Sequence, residues 1–249
     1  MLQRPGDPAR STPASPRLRS TLAAVALLAL RNVAAADELK PFEASYNWIW
    51  NGMTVAATSV KLEKTGDTWT YTSKSEPRGI GRLLPQRPKT VSMLRVTAAG
   101  VQPLSYKGDD GTSSTKRTVN VTYDWNAHKV TGVYEDTPVD LPLTDAVQDD
   151  SSVQIALMVA LLRGQTPESF SLLDKNSVRE YRYTREGEET VRTPFGNVAT
   201  AVYRSQRANS PHVNRYWCAP ERGFIPMRVQ QKRGDDVQWT MEIESLKRE

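Results

Sequence analysis

The sequence predicts a mainly β protein: one highly curved antiparallel sheet, with a single apolar helix packed on its concave face or capping it. Three observations point there. Strand-like alternation runs through most of the chain, turn residues recur at short intervals, and one ten-residue stretch near the middle is almost wholly apolar. Alternating βαβ units would need many more helical stretches than the chain offers.

The first strand is expected at Phe42–Trp50, where alternation places Phe42, Ala44, Tyr46, Trp48 and Trp50 on one face. Asn51-Gly52 follows, a two-residue hairpin signal because both positions of that turn need positive φ. Strands over 54–63 and 68–75 are joined by Thr65-Gly66-Asp67, and further strands are expected over 90–97, 101–106, 116–123 and 129–135. The helix comes next. Asp149-Asp150-Ser151-Ser152 offers N-cap chemistry, and 153–162 has Gln154 as its one polar residue. Arg163-Gly164 then supplies the stop. A helix apolar all round belongs in an interior. Beyond it, strands are expected over 170–173, 178–186, 189–192, 198–207, 212–218, 225–232 and 237–246, with Gly187 turning the pair 178–186 and 189–192. The segment 76–89 is different. It holds three prolines, two glycines, Arg78, Arg82, Arg87 and Lys89, with Ile80, Leu83 and Leu84 between them. It reads as a long excursion with an apolar tip and a basic rim, either solvated or in contact with an anionic amphiphile or a membrane surface.

Composition excludes several function classes. The formal charge is +5, but residues 1–36 hold five arginines against one acid, leaving 28 bases against 27 acids from Asp37 on. A near-neutral domain has no global electrostatic case for nucleic acid. Residues 1–36 read as a secretory signal peptide: a basic start, the apolar core Leu22–Leu30, then Ala34-Ala35-Ala36 before Asp37. That core is about 14 Å long as a helix, against a bilayer core of ~30 Å, so it does not span. The expected arrangement is a leader over 1–36, cleaved near Ala36, and one β-rich domain over 37–249 in the periplasm without a transmembrane span. Cys218 is the single cysteine, so the domain depends on its core and no internal disulfide is available.

Catalytic and metal signals are sparse. With two histidines, His128 and His212, and one cysteine, no metal-ligand spacing emerges, and neither a metal nor a cofactor is expected. Asp149-Asp150 fits helix capping better than a calcium site. Ser113-Ser114-Thr115-Lys116 has the Ser-x-x-Lys spacing but lies in a polar loop without companion motifs. Gly79-Ile80-Gly81 precedes no phosphate cradle, and Glu186, Glu188 and Glu189 read as a solvated hairpin tip.

Several segments together resemble the bacterial "domain of unknown function 3108" family. They are Asp149-Asp150-Ser151-Ser152-Val153-Gln154-Ile155-Ala156-Leu157 with Leu161-Leu162-Arg163-Gly164; Tyr181-Arg182-Tyr183 with Gly187-Glu188-Glu189; Thr193-Pro194-Phe195-Gly196; and Trp217-Cys218-Ala219-Pro220 with Phe224-Ile225-Pro226-Met227-Arg228-Val229. Tyr46 and the Asn51-Gly52 turn fit as well, so the resemblance spans approximately residues 44–246. It implies an exported envelope protein and brings no catalytic residues with it. Cys218 stands where the resemblance leads one to expect a larger apolar or aromatic residue. The architecture implied is similar to the lipoprotein-carrier fold, an open antiparallel half-barrel whose concave face is closed by helix; such a likeness does not fix function.

Three functions follow as expectations. The first is a non-enzymatic periplasmic protein that binds a lipid or other amphiphile in the half-barrel. Leu157, Met158 and Leu161 would line the cavity with Trp48 and Trp50, and Arg78, Arg82 and Arg87 would orient an anionic head group. The second is an envelope scaffold with a filled core and a protein partner. The third is a hydrolase assembled from Ser210 or Cys218 with His212.

Overall fold

The computed structural model describes residues 38–144 and 147–248. The expected leader over 1–36 and its cleavage site lie outside the described residues. Fifteen strands and one α-helix follow in chain order among them. The first eight strands are β1 (Phe42–Trp50), β2 (Met53–Thr65), β3 (Thr68–Pro77), β4 (Lys89–Thr97), β5 (Gly100–Asp109), β6 (Val119–Asp124), β7 (Lys129–Tyr134) and β8 (Thr137–Pro142). Then come β9 (Val147–Gln148) and α1 (Ser152–Leu162). The rest are β10 (Ser169–Asp174), β11 (Ser177–Thr193), β12 (Gly196–Arg207), β13 (His212–Ala219), β14 (Ile225–Arg233) and β15 (Asp236–Arg248).

All fifteen strands belong to one sheet in which every pair of consecutive strands is hydrogen-bonded except β8 and β9, which form its two edges. The meander runs antiparallel from β1 to β8 and from β10 to β15. β1 pairs with β15 to join the two halves, and β9 lies parallel to β10 at one edge. The sheet rolls so that this edge returns against β5, where Gln148 Nε2 donates to the Val101 carbonyl at 2.9 Å. The result is a curved, barrel-like sheet with α1 on its concave side.

Register shows why the inner face is apolar. Phe42 pairs with Leu62 and Leu62 with Tyr71; Ala44 pairs with Val60; Tyr46 pairs with Thr58 and Thr58 with Ser75. The alternation expected of β1 is realised as a gradient. Phe42, Ala44 and Tyr46 are buried, Trp48 is half-buried, and Trp50 at the hairpin tip is 48% exposed. α1 meets this face with Ile155, Ala156, Met158 and Val159, while Val153, Leu157 and Leu161 pack among Leu172, Tyr183, Ala201, Tyr203 and Cys218. A third cluster joins β6–β8 to β9 and β10 through Val121, Tyr123, Val130, Val147 and Leu173.

Some local expectations are corrected. Gly187 makes no hairpin: β11 continues through it, and Glu186 is the extra residue of a β-bulge between Arg185↔Tyr203 and Gly187↔Val202. Gly187, at φ +138, supplies the backbone freedom that bulge needs. The turn falls at Pro194-Phe195 instead. The expected 116–123 strand begins only at Val119, after a 3-10 turn at Thr115–Arg117. β8 was hidden by Pro138 and Pro142, which an edge strand accommodates because one side has no ladder to complete.

Candidate functional site

The expected site residues separate into two groups. Leu157, Met158 and Leu161 are buried side chains of the core, Leu157 at 1% exposure, and they line none of the three clefts described below. α1 itself occupies the part of the concave face where these three side chains lie. A helix apolar on every side buries most surface by standing inside the sheet, not at its rim. Trp48, by contrast, does line an apolar pocket of about 200 Å³, and Arg78 and Arg87 flank it in sequence.

That pocket is the open end of the half-barrel. Trp48 pairs with Ala56 and Ala56 with Pro77, one layer outward from Tyr46, Thr58 and Ser75 on the inner face. Trp48 packs on Trp239, with ring centroids 4.8 Å apart, and a Thr58–Ser75 hydroxyl hydrogen bond of 2.8 Å lies in the layer below. Gly81, Leu84, Gln86 and Pro88 of the 78–88 excursion form the other wall.

The excursion is an ordered turn seated on the sheet. β2 has a bulge at Val55, between Trp48↔Ala56 and Ile49↔Thr54, and the Val55 carbonyl accepts the Arg78 N–H at 2.8 Å. A 3-10 turn over Gly79–Leu83 follows, with Gly81 N–H to the Arg78 carbonyl and Leu84 N–H to the Gly81 carbonyl, both at 2.9 Å. A Cβ on Gly81 would stand 2.0 Å from the Val55 oxygen, so only glycine allows this approach. The return limb is held by Ser75 N–H to the Pro88 carbonyl and Arg87 N–H to the Asp110 carbonyl.

The three arginines have different tasks. Arg78 Nη1 donates to Asn47 Oδ1 at 3.1 Å and pairs with Glu244 at 3.3 Å; alternation along β3 puts it on the face opposite Trp48. Arg87 Nη1 donates to the carbonyls of Leu84 and Gln86, and its Nε stands 3.5 Å from Glu76. Both therefore fasten the turn. Arg82 is exposed and makes no ion pair among the described residues. Of the three it is the one not engaged in fastening the turn.

At the start of α1, Asp149 does the work the sequence assigned to capping. Its Oδ1 accepts the N–H groups of Ser151 and Ser152 at 2.9 and 2.7 Å, and its Oδ2 accepts the Ser92 hydroxyl of β4 at 2.8 Å. Burial pushes its carboxyl up to about 6, and the hydrogen bonds from Ser152, Ser92 and Ser151 restrain that rise.

The other chemical candidates are dispersed. Cys218 is fully buried, and its surroundings push the thiol well above its usual range. His212 lies at the other end of β13, about 20 Å away at the rise of an extended strand, and Ser210 Oγ accepts the His212 backbone N–H rather than its ring. The three glutamates around Gly187 are occupied separately: Glu186 with Arg215, Glu188 with Arg185, and Glu189 with the Trp217 indole. No group of three or more metal-ligating side chains occurs among the described residues.

Two clefts at the opposite end of α1 were not anticipated. One of about 580 Å³ is lined by residues that include Lys64, Asp67, Trp69, Arg95 and Arg163, and one of about 300 Å³ by residues that include Trp125, Ala160 and Phe170. Arg163 borders both and donates to the carbonyls of Thr97 and Ala98, so it acts as the C-terminal fastening of the helix. Nothing in the sequence flagged these clefts, because their walls come from four or more distant segments. The first mixes both charge signs, whereas the mouth pocket is apolar and bordered by exposed apolar side chains.

Comparison with known proteins places the chain in a family. The model described as "Protein of unknown function (DUF3108)" matches residues 42–242, and the chain belongs to that family. A β-barrel-like protein of domain of unknown function DUF1849 from Brucella abortus has a similar fold. The TM-score is 0.58 at 12% identity, covering 85% of this chain and 99% of that one. A Bacteroides fragilis protein of YmcC-like fold, provisionally described as exported, aligns over 84% of this chain and 97% of its own at 11% identity. Its TM-score of 0.37 is too low to bear on the fold. No curated protein sequence matches the chain significantly. No helix among the described residues is long and apolar enough to cross a membrane.

Proposed function

We propose that this is a non-enzymatic, exported protein of the cell envelope that binds the hydrocarbon end of an amphiphile at the mouth of its half-barrel. The observation that carries this is the apolar pocket between Trp48, Ala56 and Pro77 of the sheet and Leu84 and Pro88 of the seated turn. At about 200 Å³ it is smaller than the ~300–1,000 Å³ of pockets that enclose drug-sized ligands. It suits one chain end, with the polar part left outside near Arg82. The apolar leader over 1–36 supports export.

The test is a titration of lysophosphatidylglycerol, below its micelle concentration, into the chain from Asp37 while tryptophan emission is followed. Saturable change is expected in the native protein and its loss in Ala56→Phe, where the added ring occupies the pocket. A native protein that gives no saturable response, or an Ala56→Phe protein that responds equally, rejects the pocket. A second reading, an envelope scaffold with a filled core, draws support from the burial of Leu157, Met158 and Leu161. It gains if the titration is silent.

A further inference from the structure

We infer that the 79–84 turn and the β1–β2 hairpin tip dock this protein onto an anionic lipid bilayer. The inference rests on the reading that the mouth takes a hydrocarbon chain, and it names where that chain comes from.

Five large apolar side chains are exposed at this end: Trp50, Met53, Ile80, Leu83 and Leu84, with Leu83 at 88%. They form one locality. Trp50 pairs with Met53 across the hairpin, and Gly79 and Gly81 lie against the Thr54 and Val55 carbonyls next to Met53. Isolated exposed apolar residues are ordinary, but a group of them held together at one end marks a contact surface. These are also held in place. The 3-10 turn, the Val55 carbonyl and the Arg78 and Arg87 side chains fix the backbone that carries Ile80, Leu83 and Leu84. A loop free to relax would fold such side chains inward; this one is fastened with them outward.

Charge selects the partner. Residues 78–89 contain four bases and no acid, in a chain that from Asp37 on is nearly neutral. Arg78 and Arg87 are partly neutralised by Glu244 and Glu76, while Arg82 and Lys89 make no ion pair among the described residues. An apolar tip with unpaired bases beside it fits the bilayer interface: the tip enters the acyl boundary and the bases meet phosphates. A tryptophan at the same height suits that boundary as well. Pocket size gives an independent reason. About 200 Å³ cannot enclose a lipid, so most of any lipid whose chain end enters stays outside the pocket, as it does when that lipid remains in its bilayer.

The experiment is co-sedimentation with vesicles, using the chain from Asp37 so that the apolar leader plays no part; residues 38–144 and 147–248 form one sheet around their own core. Vesicles of phosphatidylcholine alone are compared with vesicles containing about 30% phosphatidylglycerol. The native protein is expected to sediment with the anionic vesicles, and Leu83→Asp to weaken binding about tenfold or more, because one inserted leucine is replaced by a charge. Arg82→Glu should weaken it less, and mainly at low salt. Absence of binding to the anionic vesicles overturns docking, as does Leu83→Asp binding like the native protein. The lysolipid titration separates the two proposals. Leu83 lies outside the pocket lining, so Leu83→Asp should still take up lysophosphatidylglycerol, and Ala56→Phe should still dock on vesicles. Loss of vesicle binding in Ala56→Phe at native stability overturns docking through the turn.

Discussion

Two stretches of this chain are rich in bare apolar residues and bordered by arginine, 153–162 and 78–88, and they have opposite fates. The first becomes α1, with Gln154 alone of the ten residues less than buried. Its backbone satisfies its own hydrogen bonds, so it can stand inside the sheet and place apolar side chains on every side. The second is too rich in proline and glycine for that. Its backbone polar groups need partners on the sheet rim, at Val55, Ser75 and Asp110, and meeting them fixes Ile80, Leu83 and Leu84 outward. The difference lies in backbone accounting: composition alone does not say which apolar segment enters a core.

The widest separation between the two regions is in what a charge does to each. Leu157→Asp puts an uncompensated carboxylate among Leu172, Tyr183, Ala201 and Cys218, and should cost at least about 4 kcal/mol, enough to lose the fold in many domains. Leu83→Asp, at 88% exposure, should change stability by no more than about 0.5 kcal/mol. Urea unfolding of the two variants measures the contrast directly. Equal losses would mean that the turn belongs to the core.

The helix end offers a second, pH-dependent handle. Asp149 has its carboxyl pushed up to about 6 from an ordinary 3.8, so the folded state holds its proton more tightly than the unfolded chain. Its contribution to stability is then fully present below pH 4 and is lost as pH rises through about 6, a change of about 3 kcal/mol. Asp149→Asn can still accept from Ser151 and Ser152 and can donate to Ser92, so it should flatten this slope while keeping the cap. Denaturant midpoints between pH 4 and 7.5 for the two proteins provide the check. Burial pushes the neighbouring Asp150 carboxyl up as well, so part of the slope should remain; a slope as steep in Asp149→Asn as in the native protein assigns the titration elsewhere.

How much of this was legible in the sequence depends on the range of the interaction. Local signals were sufficient for β1, for the Asn51-Gly52 turn and for the boundaries of α1, because alternation, turn chemistry and capping act within a few residues. The apolar tip and basic rim of 76–89 were also readable. The roles of the arginines were not. Arg78 was expected at a head group, but Asn47 and Glu244 hold it, and Glu244 lies 166 residues away in sequence. Leu157, Met158 and Leu161 were expected on a cavity wall because one sequence cannot reveal how far a helix sinks into a sheet. The bulges at Val55 and Glu186 escaped notice for a related reason: each is a property of two strands in register, and neither strand signals it alone.

The most local expected effect is the most specific to the turn. Gly81 does not need glycine for its φ, unlike Gly79 at +54, so a methyl group there tests close approach and nothing else. In Gly81→Ala the new Cβ would meet the Val55 oxygen at 2.0 Å and the Val55 carbonyl carbon at 3.0 Å, both backbone atoms that cannot rotate aside. The turn must lift from β2, and the Arg78 N–H to Val55 carbonyl bond is lost with it. The cost should be local, about 1–3 kcal/mol, because α1 and the inner sheet touch none of these atoms. Limited proteolysis should therefore cut between 78 and 88 much faster in Gly81→Ala, while the global unfolding midpoint stays within about 1 kcal/mol of the native protein. Vesicle binding should weaken too, since a turn free of the rim can turn its leucines inward. If Gly81→Ala resists protease as well as the native chain, the turn is not held by that contact, and the outward display of Ile80, Leu83 and Leu84 needs another cause.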